Sequence, residues 1–188
     1  MAMTRPTQPS PKTALLVIDV QQSFTQRAYY EPAGRERFLA SQNQLIEGAQ
    51  AQGWPVVRVL HQSLVDDPAD PFSSASGYIR PLDGLLDFDA AHTVHKARHS
   101  ALVGTGLDVW LVEQGIHRLV VSGIRTEQCC ETTARHACDL GWQVDFVPDA
   151  MWTWAHRGLR AEDIRERTVA VLDGRFARVL EVADALGN

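Results

Sequence analysis

Lysine and cysteine are both scarce in this chain of 188 residues. Its 18 basic side chains include only two lysines, Lys12 and Lys96, and its three cysteines are Cys129, Cys130 and Cys138. Lys12 belongs to a proline-rich N-terminal segment, so Lys96 is the one lysine in the body of the predicted fold. Three cysteines, two of them adjacent, do not make a disulfide framework, which favours a reducing, cytoplasmic compartment.

The sequence also lacks the marks of a membrane or nucleic-acid-binding protein. Its longest apolar run, Ala14 to Ile18, is far shorter than the roughly 20 residues of a membrane span, and no signal-peptide stretch precedes it. A formal charge of −5 argues against a nucleic-acid partner, because such proteins carry a basic surplus. We therefore expect neither a membrane nor a nucleic acid as a partner.

The order of the apolar segments predicts an α/β fold. Runs of β-branched residues alternate with longer amphipathic segments, the pattern of a parallel sheet covered by helices. The length fits a single domain with one core. We predict a three-layer, Rossmann-like α/β/α sandwich with a parallel sheet of about six strands. It would occupy residues 13–188, after a flexible tail over residues 1–12.

Three reactive side chains follow predicted strands. Asp19 ends the first strand, Lys96 follows the third, and Cys129 lies just beyond the fourth. Open α/β sheets bind ligands at the carboxyl ends of their strands, so these three residues are expected to converge there. Asp19 could act as a general base and acid or merely cap a turn, and a buried Lys96 would keep it charged.

The segment around Cys129 predicts a strand, a tight turn and then a helix over Thr126 to Leu140. With Thr126 as the N-cap, Cys129 falls in the first helical turn, where unpaired N–H groups and the helix dipole favour a thiolate. We therefore expect its pKa to lie below the free value of about 8.5. The alternative is that Cys129 is a small apolar residue packed on the sheet.

The other two cysteines are predicted to be structural. Cys130 points about 100° away from Cys129 around the helix, on the face of Ala134 and Ala137, so packing is its expected role. Cys138 lies two turns further on and is interpreted as a core residue. A disulfide between Cys129 and Cys130 would strain the helical turn, which makes a redox switch the weaker interpretation.

Three motifs together resemble the isochorismatase-like cysteine hydrolase superfamily, whose members include nicotinamidases, N-carbamoylsarcosine amidases, ureidoacrylate amidohydrolases and isochorismatases. The motifs are IDVQQSF (Ile18 to Phe24), KARHSALVGTGL (Lys96 to Leu107) and GIRTEQCCETTA (Gly123 to Ala134). The resemblance runs from about Thr13 to Leu186, with the motifs in the order and spacing of the family.

The resemblance implies a catalytic triad of Asp19, Lys96 and Cys129. In such enzymes the cysteine attacks a carbonyl carbon, the aspartate carries the proton to the leaving amine, and the lysine orients both groups. It also implies a cis peptide between Ile124 and Arg125. The backbone N–H groups of Arg125 and Cys129 would then form the oxyanion hole.

Departures from the family pattern bear on cofactors. Nicotinamidases carry the metal motif Asp-x-His-Pro-x-x-His, but the corresponding stretch here, Val59 to Val65, retains only His61. A metal-dependent nicotinamidase is therefore disfavoured, and we predict neither a metal nor another cofactor. The sequence leaves open whether His61 lines the pocket. The histidines His92, His95 and His99 are interpreted as incidental rather than as a metal cluster.

Four residues are candidates for substrate contacts: Phe24, Arg125, Trp152 and Trp154. Arg125 stands where relatives usually have a small residue, and it could bind a substrate carboxylate or pair with a nearby acid. Trp152 and Trp154 follow the predicted fifth strand, where they could form a wall of the substrate pocket or pack at an interface or in the core.

The sequence thus favours a cofactor-free cysteine hydrolase that cleaves a C–N bond in a small amide, carbamoyl or ureido compound. Isochorismatase-type vinyl-ether hydrolysis in the same pocket is the first alternative. A thiol redox sensor or a noncatalytic binding protein is the second. A homo-oligomer, dimer or tetramer, is expected because relatives pair and because four tryptophans exceed what a small core must hold: Trp110, Trp142, Trp152 and Trp154.

Overall fold

The computed structural model describes residues 12–187, so the predicted N-terminal tail lies outside the described residues except for Lys12. One sheet of six parallel strands has the order β3-β2-β1-β4-β5-β6. The strands are β1 (Thr13–Ile18), β2 (Val56–His61), β3 (His92–Lys96), β4 (Arg118–Ile124), β5 (Gln143–Trp152) and β6 (Arg178–Val179). The helices are α1 (Arg35–Ala51), α2 (Leu107–Glu113), α3 (Glu131–Asp139), α4 (Ala161–Leu172) and α5 (Val182–Leu186). The predicted fold class is confirmed.

Helices cover both faces of the sheet, which explains the uninterrupted apolar character of its central strand. Every residue of β1 is buried, with Leu16 and Ile18 in the core beneath α2 and α3, and Leu15 and Val17 in the core beneath α1 and α5. A strand buried on both sides reads as a continuous apolar run rather than an alternating one. The sheet is therefore a rigid base for residues that follow its strands.

The strand β5 is longer than the sequence pattern predicts. The apolar pattern predicts a strand over Gln143 to Val147. That predicted end is wrong, because β5 continues to Trp152 across Pro148 and Asp149. The pairing of β4 with β5 shifts register between Val121 and Gly123, so Pro148 falls in an irregular stretch that needs no ladder hydrogen bond.

The chain end also differs from the prediction. The sequence pattern predicts a last strand over Arg178 to Val182, but β6 contains only Arg178 and Val179. The short helix α5, which the sequence pattern did not predict, follows it and packs its Val182, Ala185 and Leu186 against the α1 side of the sheet.

The helix that carries Cys129 begins differently from the prediction. Thr126 is not the N-cap: Arg125 takes that position without a side-chain cap, and Thr126–Cys130 forms a π-helical turn that leads into α3. The Cys130 N–H donates to the Arg125 carbonyl at 3.3 Å, five residues back, which widens the turn. Such turns occur often at functional sites.

A glycine allows β1 and β4 to approach closely just before the site. Gly123 has φ +127°, and a Cβ at this position would lie 2.0 Å from the carbonyl oxygen of Ile18. Because any side chain would push the two strand ends apart, glycine is required here. The close approach sets Asp19, the next residue after Ile18, beside the turn that carries Cys129.

Candidate active site

Asp19, Lys96 and Cys129 meet at the carboxyl edge of the sheet. Lys96 Nζ lies 2.7 Å from Asp19 Oδ2 and 3.2 Å from Cys129 Sγ. The side chains of Asp19 and Lys96 have no exposed surface, and Cys129 is 5% exposed. Three residues distant in sequence therefore form one buried polar cluster, in the place that the sheet rule predicts.

Lys96 is the centre of this cluster. Besides Asp19 and Cys129, its ammonium reaches the carbonyl oxygen of Arg98 at 3.1 Å and His61 Nδ1 at 3.3 Å. Burial alone would lower the pKa of Lys96, but the Asp19 carboxylate and the Cys129 sulfur outweigh it and raise the pKa above its usual value. Lys96 is accordingly a permanent cation.

Asp19 combines a strained backbone with a buried carboxylate. Its φ of +53° is rare for a residue with a side chain and turns the chain sharply at the end of β1. Burial raises the pKa of Asp19, while the neighbouring Lys96 partly offsets this. A carboxylate with a raised pKa is a better proton acceptor than an exposed one, so this residue suits a base.

The protonation state expected for Cys129 is wrong. Burial raises the pKa of this thiol, the Asp19 carboxylate raises it further, and Lys96 only partly compensates. Desolvation beside a negative charge therefore decides the protonation state of this thiol. The resting group is a thiol, and chemistry at Cys129 needs a base to remove its proton.

His61 lies against the cluster and is held by Gln21. The Gln21 side chain accepts a hydrogen bond from the His61 N–H at 2.7 Å and donates to the His61 carbonyl at 3.0 Å. Burial, followed by the charge of Lys96, lowers the pKa of His61 to about 4. A neutral His61 can accept the hydrogen bond from Lys96 through Nδ1. His61 is therefore in direct contact with the polar cluster.

Replacing His61 by Asn is expected to make folding stability less sensitive to pH between 7 and 5. The folded pKa is about 4 against an ordinary 6.5, so on acidification the unfolded chain binds a proton that the folded chain refuses. The free energy of unfolding therefore decreases as the pH falls below the ordinary histidine pKa. The loss is about 1–2 kcal/mol at pH 5 for this partly solvated group. Asn retains an acceptor for Lys96. Urea unfolding at both pH values measures the difference.

The matched control for that experiment is His95→Asn. His95 is exposed on β3, and its replacement should leave the wild-type pH dependence unchanged. Equal losses of stability on acidification in the wild type and in His61→Asn would contradict the assigned environment of His61.

His99 belongs to the site although the sequence interpretation treats it as incidental. Its Nδ1 lies 3.8 Å from Cys129 Sγ, and its side chain is exposed. The other two histidines are elsewhere: His92 stacks on Trp110 at 4.8 Å, and His95 is exposed. His99 follows β3 by only three positions. The rule that places ligand-binding residues at the carboxyl ends of the strands would therefore have predicted His99 as well as Lys96.

Aromatic side chains surround the polar cluster. Phe24 packs edge-on against Phe72 and Trp154, with ring centroids 5.0 and 5.8 Å apart, and Phe72 contacts the ring of His61. Tyr29, half exposed, stacks on Trp154 at 6.0 Å. A mixed wall of this kind can hold a small apolar or planar group close to a polar centre.

Trp152 lies behind this wall. Its ring stacks on Phe38 and contacts Trp154 edge-on, and its N–H donates to the Ala33 carbonyl at 3.1 Å. Trp152 and Trp154 are 4% and 1% exposed within this one chain. They give no support to the expected homo-oligomer, which stays a prediction.

Arg125 has an acid as its partner. Its guanidinium lies 3.0 Å from Glu127, donates to the Trp154 carbonyl and to the Thr153 hydroxyl, and stacks over the Trp154 ring. Arg125 was expected either to bind a substrate carboxylate or to pair with a nearby acid, and the structure contains the pairing with the acid. These contacts use Nε and Nη2, and Nη1 has no hydrogen-bond partner within residues 12–187.

The remaining features of the turn follow the sequence interpretation in part. The Ile124–Arg125 peptide is cis. Cys130 is fully buried and packs in the core with Ala134 and Ala137, as expected. Cys138 is only half buried at the edge of that core, so the expectation of a core position was too strong. All three thiols are free.

The described part of the chain contains no group of three or more His, Cys, Asp or Glu side chains arranged to hold a metal ion. His61, the remnant of the metal motif, instead faces the cation of Lys96. Separately, none of the helices within residues 12–187 is long and apolar enough to cross a membrane.

Comparison with known proteins identifies the family. The model of the isochorismatase domain matches residues 13–184. This chain belongs to the isochorismatase family. It is a hydrolase of that family. It shares 27% identity over 176 residues with the uncharacterised isochorismatase family protein YrdC of Bacillus subtilis, and the match covers 90% of this chain and 91% of YrdC.

Two further relatives extend the comparison. Streptothricin hydrolase of Streptomyces noursei is 31% identical over 167 residues, which cover 87% of this chain but 57% of that enzyme. A crystal structure from Burkholderia xenovorans LB400, likewise named after isochorismatase, is 30% identical with a TM-score of 0.83. That match covers 94% of this isochorismatase-family chain and 86% of the other.

Proposed function

We propose that this isochorismatase-family hydrolase cleaves a C–N bond of a small amide, carbamoyl or ureido compound through a thioester on Cys129. The observation that carries the proposal is the position of Lys96 Nζ, 2.7 Å from Asp19 and 3.2 Å from Cys129. One buried cation thus connects a base with a nucleophile, which is the arrangement that covalent hydrolysis needs.

The first half of the reaction follows from the protonation states. Asp19 accepts the proton of the Cys129 thiol while sulfur attacks the substrate carbonyl carbon, and a C–S bond forms. The tetrahedral intermediate collapses when Asp19 returns the proton to the leaving nitrogen and the C–N bond breaks. Lys96 balances the negative charge that moves between carboxylate and sulfur. A thioester and a free amine or ammonia result.

The negative oxygen of the intermediate needs hydrogen-bond donors. We assign the backbone N–H groups of Arg125 and Cys129 to this role, because Arg125 is the N-cap of the π-helical turn and Cys129 is the nucleophile itself. The carbonyl of Arg125 is already occupied by the N–H groups of Gln128 and Cys130, which fixes the turn. Donors held in this way cost no reorganisation during the reaction.

The substrate would lie against Phe24 and Trp154, with Trp152 behind Trp154 to hold it in place. Arg125 lies at the polar end of this wall, and its Nη1 is free to donate a hydrogen bond to a substrate oxygen. Its other nitrogens remain with Glu127, Thr153 and Trp154. A buried guanidinium that is already oriented loses little entropy when it binds a carboxylate or carbonyl oxygen.

The burial of Cys129 bears on the redox alternative. Thiols that sense oxidants are exposed and have a low pKa, whereas this one is 5% exposed and burial raises its pKa. Hydrolysis with a dedicated base therefore fits the site better than sensing. Amide cleavage also uses the contact of Cys129 with Lys96, whereas vinyl-ether hydrolysis does not need a nucleophilic cysteine.

A hydrolysis screen tests the proposal. Small primary amides, carbamoyl amino acids and ureido acids are incubated with the enzyme, and released ammonia or amine is measured beside Cys129→Ala. The proposal expects at least one class to be cleaved by the wild type and not by Cys129→Ala. Cleavage of a vinyl ether that persists in Cys129→Ala, with silence across the amide panel, would contradict it.

A further inference from the structure

Arg125 and Glu127 form an ion pair beside the aromatic wall, which consists of Phe24, Phe72 and Trp154. Arg125 Nη2 lies 3.0 Å from Glu127 Oε1. The Thr153 hydroxyl accepts from Arg125 Nε and Nη2 at 3.3 Å and donates to Glu127 Oε2 at 2.8 Å. The two charged side chains are 4% and 17% exposed, so little water weakens the attraction between them.

One nitrogen of this guanidinium is left for a substrate. Nε and Nη2 make the contacts with Glu127, Thr153 and the Trp154 carbonyl, whereas Nη1 has no hydrogen-bond partner within residues 12–187. Burial lowers the pKa of Arg125, and the Glu127 carboxylate partly offsets this. The end of the wall therefore offers N–H donors whose positive charge a neighbouring carboxylate already neutralises.

Two other cations that touch the site are paired in the same way. Lys96 is 2.7 Å from Asp19, and Arg27, whose guanidinium lies over a ring of the aromatic wall, is 2.9 Å from Asp70. Burial, followed by the charge of Lys96, lowers the pKa of His61 to about 4, so this ring adds no charge at neutral pH. The charges of these groups therefore cancel around the place that the substrate would occupy.

A carboxylate on the substrate would gain little from Arg125. It would lose its hydration next to the aromatic wall, and the charge that should compensate for this loss is already shared with Glu127. Glu127 would also repel it, because both carboxylates would lie beside the same guanidinium. A carbonyl oxygen avoids both costs and still accepts a hydrogen bond from Nη1.

We propose that Glu127 determines the charge of the substrate. By neutralising Arg125, it selects amides that carry an uncharged hydrogen-bond acceptor at their far end, such as a ketone, over amides that carry a carboxylate there. This selectivity rests on the proposed function of Cys129, because it concerns the compounds that the same site cleaves. Glu127 acts through Arg125 and is a specificity-determining residue rather than a catalytic one.

Two pairs of benzamides test this role. In 3- and 4-acetylbenzamide an uncharged ketone stands where 3- and 4-carbamoylbenzoate have a carboxylate of the same shape. Ammonia release is measured with the full-length enzyme at pH 8, where an ordinary histidine is neutral. A compound that is not cleaved is scored by its inhibition constant against the best amide of the screen.

The wild type is expected to prefer the acetyl compound of the better pair by about 10-fold or more in kcat/KM. Glu127→Gln retains an acceptor for the Thr153 hydroxyl but removes the charge, so it should shift this ratio by about 10-fold or more toward the carboxylate. The shift should disappear when Arg125→Met is added, because it requires the guanidinium. A merely structural role of Glu127 would lower the rates of both compounds and leave their ratio unchanged.

Two matched variants serve as controls. Glu127→Asp keeps the charge and should keep the wild-type preference. Glu113→Gln removes a carboxylate from the exposed end of α2 and should change neither the rates nor their ratio. The wild-type ratio tests the proposal whether or not Glu127→Gln folds.

The possible failures can be told apart. A wild-type preference for the carboxylates, an unchanged ratio in folded Glu127→Gln, or neither cleavage nor inhibition by any of the four compounds would overturn the role of Glu127. Each of these results would leave the thioester proposal intact. Cleavage of the benzamides that persists in Cys129→Ala would instead count against the proposed function itself.

Discussion

Cys129→Ala is expected to lower kcat by about 10⁴-fold or more on any amide that the wild type cleaves. The reason is that no other described side chain can take the place of the sulfur. Cys130 is fully buried in the core, and Lys96 is a cation tied to Asp19. Steady-state rates with the best substrate of the screen provide the measurement, and KM should change much less than kcat.

Cys130→Ala is the matched control for this loss. It removes a neighbouring thiol from the same turn, where the side chain is buried in the core that also contains Ala134 and Ala137, at a cost of about 1 kcal/mol in stability. Turnover should remain close to that of the wild type. If Cys130→Ala lost activity while Cys129→Ala kept it, the nucleophile would have been assigned to the wrong cysteine.

Lys96→Met is expected to lower kcat about 10³-fold and to move the acid limb of the kcat/KM profile to higher pH. In the wild type the cation of Lys96 partly offsets the effect of burial on the pKa of Asp19. Without it the pKa of Asp19 rises further, so more of the carboxyl group is protonated at neutral pH and cannot accept the thiol proton. Activity should recover partly as the pH increases, which a pH–rate profile measures.

The loss of Lys96 also leaves a buried carboxylate without its partner, which costs about 3–5 kcal/mol when the carboxylate stays charged. The double variant Asp19→Asn with Lys96→Met removes both charges and should regain stability without regaining activity. Lys12→Met changes the only other lysine, which donates to a carbonyl at the surface, and should leave both quantities unchanged. Full activity in Lys96→Met would exclude Lys96 from the chemistry.

The general position of the site can be predicted from the sequence because it depends only on the order of the strands. Asp19, Lys96 and Cys129 each follow a strand of a parallel sheet, and all such strand ends lie at one edge. The three-layer fold follows in the same way from uninterrupted apolar runs such as β1. Neither prediction requires any knowledge of side-chain contacts.

Features that depend on the surroundings of a side chain could not be predicted. The pKa of Cys129 rises because the site excludes water next to Asp19, whereas the sequence reveals only the helix start. Arg125 has its acid partner two residues away, at Glu127, at the start of the π-helical turn. Sequence spacing could not select between that contact and a substrate contact.

Tryptophan positions show the same limit. Trp152 ends a strand that continues through Pro148, and Trp154 lies two residues beyond it. The irregular pairing that accommodates this proline is visible only in the strand register. Both rings are almost fully buried within this one chain, which the sequence pattern does not reveal.

The central claim is that Cys129 carries the acyl group during turnover. Acid quenching of the wild type during hydrolysis of the best amide, followed by peptide mass spectrometry, tests it most directly. The account predicts the acyl mass on the peptide that contains Cys129 in the wild type and its absence in Cys129→Ala. An enzyme that turns the amide over at full rate with Cys129 unmodified throughout, and equally well as Cys129→Ala, would contradict it.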